Sequence, residues 1–448
     1  MKKEGIKRLY FLGIGGIGMS ALARYYHHQG MVVSGYDRTP SPLTKQLEIE
    51  GMAIHYEDNP MSLPALIDEV IYTPAIPNDL QELAELRRRG IPIKKRSEAL
   101  GDITKSHYTI AVAGTHGKTT TTAMVAHILK ENGIDMTAFI GGIAKNFNSN
   151  LHIGETQEAV TVAEADEYDR SFLHLSPDIS IINSIDADHL DIYGDKQHVV
   201  EGFNAFAGLT HRQVIVKEDL PIETEEAVLL RFGFAKGNDF QATNVQQQDG
   251  ETDFDIEYLD EVTHVHLVMA GTHNVLNATA AFAAAYELGL DGEDIAQALS
   301  TFLGVKRRFD VRVKNPRHVY IDDYAHHPEE IKSCLSAIKA SFPSKRLTLV
   351  FQPHLFTRTR DFMDDFANTL AMADDLILLD IYPAREKPIQ GISSQTLLDK
   401  IALTTKRLCS KEQLLQVLDE SKPELVVTMG AGDIDRFVEP IETMIKQW

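Results

Sequence analysis

Short runs of β-branched and aliphatic residues alternate with longer amphipathic stretches along this chain, and the runs repeatedly stop at glycine, acid or amide residues. Apolar runs bounded by turn signals read as buried strands, and the stretches with helical periodicity between them read as helices. Residues 8–14 predict a strand, 19–29 a helix and 31–36 a second strand ending at Asp37. Val70-Ile71-Tyr72 and Leu80 to Arg89 continue the alternation to about Ser106. A second series opens with the strand Tyr108 to Ala113, with later strands at Ala159–Ala163 and Ile179–Ile182 and a polar, β-rich stretch from Leu220 to Glu261. The alanine-rich run Ala278 to Leu288 predicts a helix. A third series places strands at His318–Ile321, Leu347–Phe351, Leu376–Leu379 and Leu425–Thr428. At 448 residues the chain exceeds what one core usually serves, so three α/β units are expected, at 1–106, 107–308 and 309–448.

Two glycine-rich turns sharpen this picture. Gly13-Ile14-Gly15-Gly16-Ile17-Gly18 joins the first strand to the first helix, and Asp37 follows about 20 residues on, as in a Rossmann-like βαβ unit. Such a turn lets a pyrophosphate approach a helix N-terminus, whether from a dinucleotide or a nucleotide sugar; it also serves close helix–sheet packing alone. The second turn, Gly114-Thr115-His116-Gly117-Lys118-Thr119-Thr120, is a phosphate loop (P-loop). Gly114 and Gly117 bare backbone N–H groups, Lys118 reaches the outer phosphates and Thr119 can hold Mg²⁺. The longer form of this motif asks for glycine where the chain has Val112, so the loop is a shortened one.

Strand ends elsewhere carry polar groups, as expected where open parallel sheets bind ligands. The acidic clusters Glu164-Ala165-Asp166-Glu167 and Asp186 to Asp191 suit Mg²⁺, or cap helices. The loop Asn146 to Asn150 lines a cleft or is simply solvated, and Asn274 and Asn277 cap a helix or read a base edge. Lys306-Arg307-Arg308 is a basic hinge or an exposed linker face, and Asp323 to Pro328 and Gln352-Pro353-His354 with Arg358 and Arg360 end strands of the third unit.

A net charge of −21 argues against nucleic acid and anionic membrane surfaces as partners, so phosphate sites must be local. Cys334 and Cys409 are too few for a disulfide framework, which suits a reducing, cytoplasmic setting. Glycines at 13, 15, 16 and 18 interrupt the apolar stretch that would otherwise read as a secretory signal, and no apolar run reaches the ~20 residues of a membrane span.

In order, Gly114 to Thr120, Glu164 to Glu167, Asp186 to His189, His273-Asn274 with Asn277, Arg307-Arg308-Phe309 and Asp323 to Pro328 resemble the Mur ligases, and the resemblance spans nearly the whole chain. Within that family, Gly15-Gly16-Ile17-Gly18-Met19-Ser20 and Phe351 to His354 are most similar to members that add L-alanine to UDP-N-acetylmuramate. The resemblance implies ATP and Mg²⁺, an acyl phosphate on the lactyl carboxylate, and amide formation with release of phosphate. It implies UDP-sugar contacts at Gly15, Gly16, Ile17, Gly18, Met19, Ser20, Asp37 and Asn150. On the ATP side it implies Gly114, Thr115, His116, Gly117, Lys118, Thr119, Thr120, His273, Asn274, Asn277, Arg308, Asp323 and Tyr324. Thr119, Glu164 and His189 match metal ligands, and His326 and Arg358 the amino-acid site. Lys118, Arg308, Glu164, His189 and His326 are then the catalytic set, with His326 orienting or deprotonating the amine because imidazole titrates near neutral pH.

The chain departs from the family pattern at Leu355, where some relatives carry a basic residue. It has no lysine between Val199 and Leu209, so no carbamylated lysine is expected. Three other readings stand beside this one: a tripeptide-recycling member of the same family, an ATP-hydrolysing P-loop switch, and a dehydrogenase that would leave Lys118, Thr119 and Glu164 without a role. Monomer and homodimer are both open.

Overall fold

The computed structural model describes residues 8–186, 196–384 and 386–448. Their strands form three sheets. The first contains β1 (Arg8–Leu12), β2 (Val32–Tyr36), β3 (Ala53–His55), β4 (Glu69–Tyr72) and β5 (Ile93–Lys95), all parallel in the order β3-β2-β1-β4-β5. The order reverses between β1 and β4, so the loops leaving these two strands part and open a crevice at their C-terminal ends. Gly13 to Gly18 lies there.

The second sheet has ten strands in the order β15-β14-β13-β12-β11-β10-β6-β9-β7-β8. Its centre is β6 (Thr109–Ala113), flanked by β9 (Val160–Glu164) and β10 (Ile179–Ile182), all parallel. On one side follow β7 (Met136–Ala144) and the antiparallel β8 (Ser149–His152). On the other lie β11 (Gln213–Lys217), β12 (Val228–Gly233), β13 (Phe240–Gln248), β14 (Glu251–Tyr258) and β15 (Glu261–Leu267). The third sheet orders β16 (Asp310–Lys314), β17 (Val319–Asp323), β21 (Leu425–Met429), β18 (Leu347–Phe351), β19 (Asp375–Leu378) and β20 (Lys406–Leu408), parallel except for the edge strand β16. The expected α/β class with Rossmann-like outer sheets is what the chain forms.

The chain packs as two compact units. One comprises residues through 243 with 255–264 and 276–302; the other comprises 244–254, 265–275 and 303–448. In the first, the helix Ile17–His28 lies against β7 and β8, and one apolar core runs from Leu9, Phe11 and Leu22 through Phe139, Leu151 and Ile182 to Phe203 and Val216. Burial of each such large side chain stabilises the fold by about 1.5–3 kcal/mol. In the second unit a separate core gathers Val319, Ile321, Leu349, Phe351, Phe366 and Val427.

Part of the stretch that reads as a loop is strand: Ser149-Asn150 begin β8, and Gly141 and Gly142 sit inside β7. At Gly141 an added Cβ would lie 2.1 Å from Glu164 Oε2, so a side chain there would force that carboxylate to move. Asn150 is completely buried, which its polar neighbours in sequence do not foretell.

Candidate active site

The phosphate loop leaves the fully buried β6 and enters the helix Lys118–Glu131. Gly114 (φ +134°) and Gly117 (φ +82°) both take backbone conformations that a side chain would strain. At Gly117 a Cβ would also stand 2.4 Å from Asn277 Oδ1 and 2.9 Å from Asn183 Nδ2, which brings the predicted Asn277 directly against the loop. The helix has no side-chain cap, so its first N–H groups remain available to an anion, reinforced by the helix dipole. Thr119 to Thr122 form a β-branched run that disfavours helix; burial against the sheet, with Asn183 Nδ2 donating to Thr121 Oγ1 at 2.8 Å, overrides that preference. Thr115 and His116 are fixed from β10: Thr115 N–H donates to the Ser184 carbonyl (3.1 Å) and His116 N–H to Ser184 Oγ (2.8 Å), with His116 Nε2 3.3 Å from Asp186.

Three neighbouring carboxylates at the end of β9 take three different partners. Glu164 Oε2 accepts from Thr119 Oγ1 (2.8 Å) and from Gly141 N–H (3.0 Å). Thr119 and Glu164 thus present two hard oxygen ligands side by side, a donor pair that fits Mg²⁺. The third predicted ligand, His189, lies outside the described residues. Asp166 pairs with Arg96 Nη2 at 2.9 Å. Glu167, which was not singled out in the sequence, holds Lys118 Nζ at 2.8 and 3.0 Å, and the same ammonium donates to the Gly114 carbonyl at 2.6 Å. Burial by itself would lower the Lys118 pKa; the carboxylates of Glu167 and Glu164 reverse that and raise it, so the ammonium stays charged. The turn behind Glu167 contains consecutive left-handed residues, Asp169 (φ 53°) and Arg170 (φ 53°), with Asp169 pinned by Lys95 Nζ at 2.6 Å. Two such non-glycine residues cost about 1–3 kcal/mol each and persist because their surroundings fix them.

A cavity of about 260 Å³ runs from Gly16, Gly18 and Met19 past Thr73 and Arg96 to Gly141, Glu164 and Asp166. At its first end Asp37 Oδ2 accepts from Gly15 N–H (2.8 Å), Arg96 Nη1 packs on Gly18, and the helix Ile17–His28 begins without a side-chain cap. The glycine turn and the Glu164 carboxylate therefore line one space. Two residues expected at the sugar are otherwise engaged. Asn150 Nδ2 donates to the Ile17 carbonyl (2.7 Å) and Ser20 Oγ (3.0 Å), and both Asn150 and Ser20 are wholly buried. They hold the helix that carries the turn rather than face the cavity.

In the second unit the turn at Arg308 is itself strained, with left-handed Arg307 (φ 64°) and Phe309 (φ 46°) on either side. Arg307 is tied to Asp322 (3.3 Å) and the Gly430 carbonyl, while Phe309 N–H donates to Asp323 Oδ2 at 2.6 Å. Asp323 Oδ1 accepts from Ala325 N–H at 2.7 Å, so this aspartate, expected on the ATP side, has both oxygens engaged by backbone N–H groups of that turn and of the strand end. The Arg308 guanidinium lies 5.1 Å from the Tyr324 ring centre and makes no ion pair among the described residues. His273 Nδ1 lies 3.3 Å from Ser333 Oγ, and Asn274 Nδ2 donates to the Ala270 carbonyl at 2.7 Å.

His326, His354 and Arg358 gather where β17 and β18 end. The His326 and His354 rings are 6.1 Å apart, and the Arg358 guanidinium acts electrostatically on both. His326 Nδ1 donates to the Tyr324 carbonyl (3.1 Å), leaving Nε2 of the neutral ring as an acceptor. Arg358 Nη1 and His354 Nδ1 are buried with no hydrogen-bond partner among the described residues, a donor set that an anion would satisfy. Nothing in the Gln352-Pro353-His354 run separated His354 from its neighbours; its pairing with Tyr382, ring centres 5.7 Å apart, depends on β19. Leu355, the departure from the family pattern, takes φ 71° and donates its N–H to the Tyr382 carbonyl at 2.9 Å.

One expectation for His326 changes. Burial, then Arg358, push its pKa down to about 4 despite Glu330, and burial with His326 and Arg358 does the same for His354. Neither ring titrates near neutral pH. Because their folded pKa lies below the unfolded value of about 6.5, the unfolded chain binds more protons in between, and stability falls as pH drops from about 6.5 towards about 4. A pH titration of the imidazole NMR signals should leave both rings unchanged through neutrality; a midpoint near 6.5 for either would contradict this.

Three family models match the chain. That described as Mur ligase family, catalytic domain, covers residues 8–108; Mur ligase middle domain covers 112–285; and Mur ligase, glutamate ligase domain, covers 307–432. The UDP-N-acetylmuramate–L-alanine ligase of Cytophaga hutchinsonii is 48% identical, over 100% of this chain and 98% of its own. That of Christiangramia forsetii is 46% identical, over 98% and 97%. Among solved structures, the UDP-N-acetylmuramate-alanine ligase of Thermotoga maritima aligns with a TM-score of 0.82 at 30% identity, over 97% of this chain and 99% of that one. A murein peptide ligase from Psychrobacter arcticus shares the fold, with a TM-score of 0.73 at 24% identity over 99% of both chains.

Proposed function

The chain belongs to the Mur ligase family, and from that premise we propose that it joins L-alanine to the lactyl carboxylate of UDP-N-acetylmuramate with cleavage of ATP to ADP and phosphate. What carries this reading in the structure is the single cavity lined by the Gly16–Gly18 turn at one end and Glu164 at the other. A nucleotide sugar whose pyrophosphate rests on the turn can extend a carboxylate towards the phosphate loop. We assign residues 1–106 to the sugar, 107–308 to ATP and 309–448 to the amino acid.

In the first step a carboxylate oxygen attacks the γ-phosphorus and the bond to ADP breaks; in the second the neutral amine attacks the acyl carbon, phosphate leaves, and the nitrogen gives up one proton and keeps the other as the amide N–H. Phosphoryl transfer asks for charge neutralisation and alignment more than covalent help. Lys118 and the N–H groups at the start of the helix Lys118–Glu131 supply it, and Arg308 offers a further cation. Thr119 and Glu164 would hold Mg²⁺, which neutralises phosphate charge when bound. Asn277 stands at the loop, while His273, Asn274 and Tyr324 are assigned to the nucleotide. Arg358 and His354 suit the α-carboxylate of alanine, and the free Nε2 of His326 accepts from its amine. A neutral imidazole at all working pH values orients that amine without first having to lose a proton. Among the described residues no helix is long and apolar enough to cross a membrane, and we place the reaction in the cytoplasm with its nucleotide substrates.

The test is ADP release measured with the UDP-sugar and with L-alanine, L-serine, glycine or a tripeptide. Release that requires the sugar and L-alanine together is expected; preference for the tripeptide would move the protein to the recycling branch, and independence of the sugar would end the ligase reading. His326→Ala should retain sugar-dependent acyl phosphate formation, trapped by hydroxylamine, and lose amide formation by about 10²-fold or more. Equal loss of both steps would remove the amine-orienting role.

A further inference from the structure

We propose that Glu167 is a positioning residue for the phosphoryl transfer: its carboxylate holds the Lys118 ammonium against the loop and competes with nucleotide phosphates for it. The proposal rests on the ATP-dependent reading above. Of the acids at the end of β9, Glu164 is occupied by Thr119 and Gly141 N–H, and Asp166 by Arg96 and Tyr168 N–H. Glu167 alone of the three closes on Lys118 Nζ, with both oxygens within 3.0 Å.

Its side chain is 5% exposed, so the contact is made where solvent screens it little. The backbone is arranged to put it there. Arg170 N–H returns to the Glu167 carbonyl (3.0 Å), Phe172 N–H to the Asp166 carbonyl (2.8 Å), and Lys95 anchors Asp169 in its left-handed conformation. A strained turn held from three sides marks a side chain whose location matters.

Two consequences follow from one carboxylate on a phosphate-binding ammonium. Its charge repels incoming phosphates and draws on the same donor, which weakens nucleotide binding. Its reach also fixes where the ammonium lies, which serves turnover. Charge and reach separate in two variants of the full-length protein. E167Q keeps the reach and loses the charge, and should tighten Mg·ADP binding by calorimetry about tenfold while lowering kcat. E167D keeps the charge on a side chain one methylene shorter, and should leave the ADP Kd near that of the parent while lowering kcat about tenfold or more.

A residue that merely supported the loop would weaken ADP binding in both variants, and that result, or unchanged ADP affinity in E167Q, overturns the proposal. Should E167Q fail to fold, E167D decides: parent-like Kd with reduced kcat upholds the proposal, and parent-like kcat or weakened binding overturns it. The ligase reading fails separately, if the unsubstituted protein binds Mg·ADP yet shows no sugar- and alanine-dependent turnover.

Discussion

Lys118→Ala is expected to cut sugar- and alanine-dependent ADP release by roughly 10³-fold or more, the scale on which preorganised cationic and N–H groups stabilise developing oxyanion charge. Lys118 is the lysine of the loop itself, held by the Gly114 carbonyl and Glu167. Binding of the UDP-sugar to the turn at Gly15 to Gly18 should survive, because Asp37, Arg96 and the uncapped helix start are untouched. Calorimetry with the sugar alone checks this. The substitution also leaves Glu167 buried without its partner charge, which destabilises the fold by about 3–5 kcal/mol. A double variant, K118A with E167Q, should therefore melt above K118A while remaining inactive. Recovery of activity in the double variant would take the lysine out of the reaction.

Glu164→Gln is the second large effect. The amide keeps the size of the carboxylate and its place beside Thr119 Oγ1 and Gly141 N–H, so the fold should hold. What it loses is charge at the position that suits Mg²⁺. Turnover should fall by about 10²-fold, with half-activation moved to higher Mg²⁺ concentration, since misplacement of the metal and the phosphate it aligns carries a penalty of that order. A Mg²⁺ profile identical to the parent's would remove Glu164 from metal binding. The same measurement on Gly141→Ala should give a similar profile, because its Cβ would occupy the space of Glu164 Oε2.

Much of the fold was legible because its signals are local. The central strands of the parallel sheets are short apolar runs closed by glycine or a polar residue, and Ile179–Ile182 and Leu347–Phe351 fall where the pattern puts them. The phosphate loop was legible for the same reason, since Gly114, Gly117, Lys118 and Thr119 act from within a few residues of one another. The losses come from long-range contact. The glycine at position 141 takes its meaning from Glu164, 23 residues on, whose carboxylate occupies the space a side chain there would fill. Asn150 reads as a solvated or ligand-facing amide, and only the docked helix shows where its hydrogen bonds go. Glu167 and Asp166 were indistinguishable as members of one acidic cluster; the strained turn after them sends one to Lys118 and the other to Arg96. For His326 the residue was legible and its charge state was not, because burial among β17, β18 and Arg358 is a property of the assembled sheet.

The core that joins Leu9, Phe11 and Leu22 to Phe139, Leu151 and Ile182 bears on how this family can be recombined. The last strand of the first sheet closes at Lys95 and the helix after it at Thr104, which invites exchange of this segment between relatives as a cassette. Arg24 to Ser149 at 2.7 Å, Asn150 to Ile17 and Ser20, and the Tyr25 and Phe139 rings 5.4 Å apart all cross that cut. A chimera that swaps the first hundred residues therefore inherits mismatched halves of a seam, and compatibility requires that β7 and β8 travel with them.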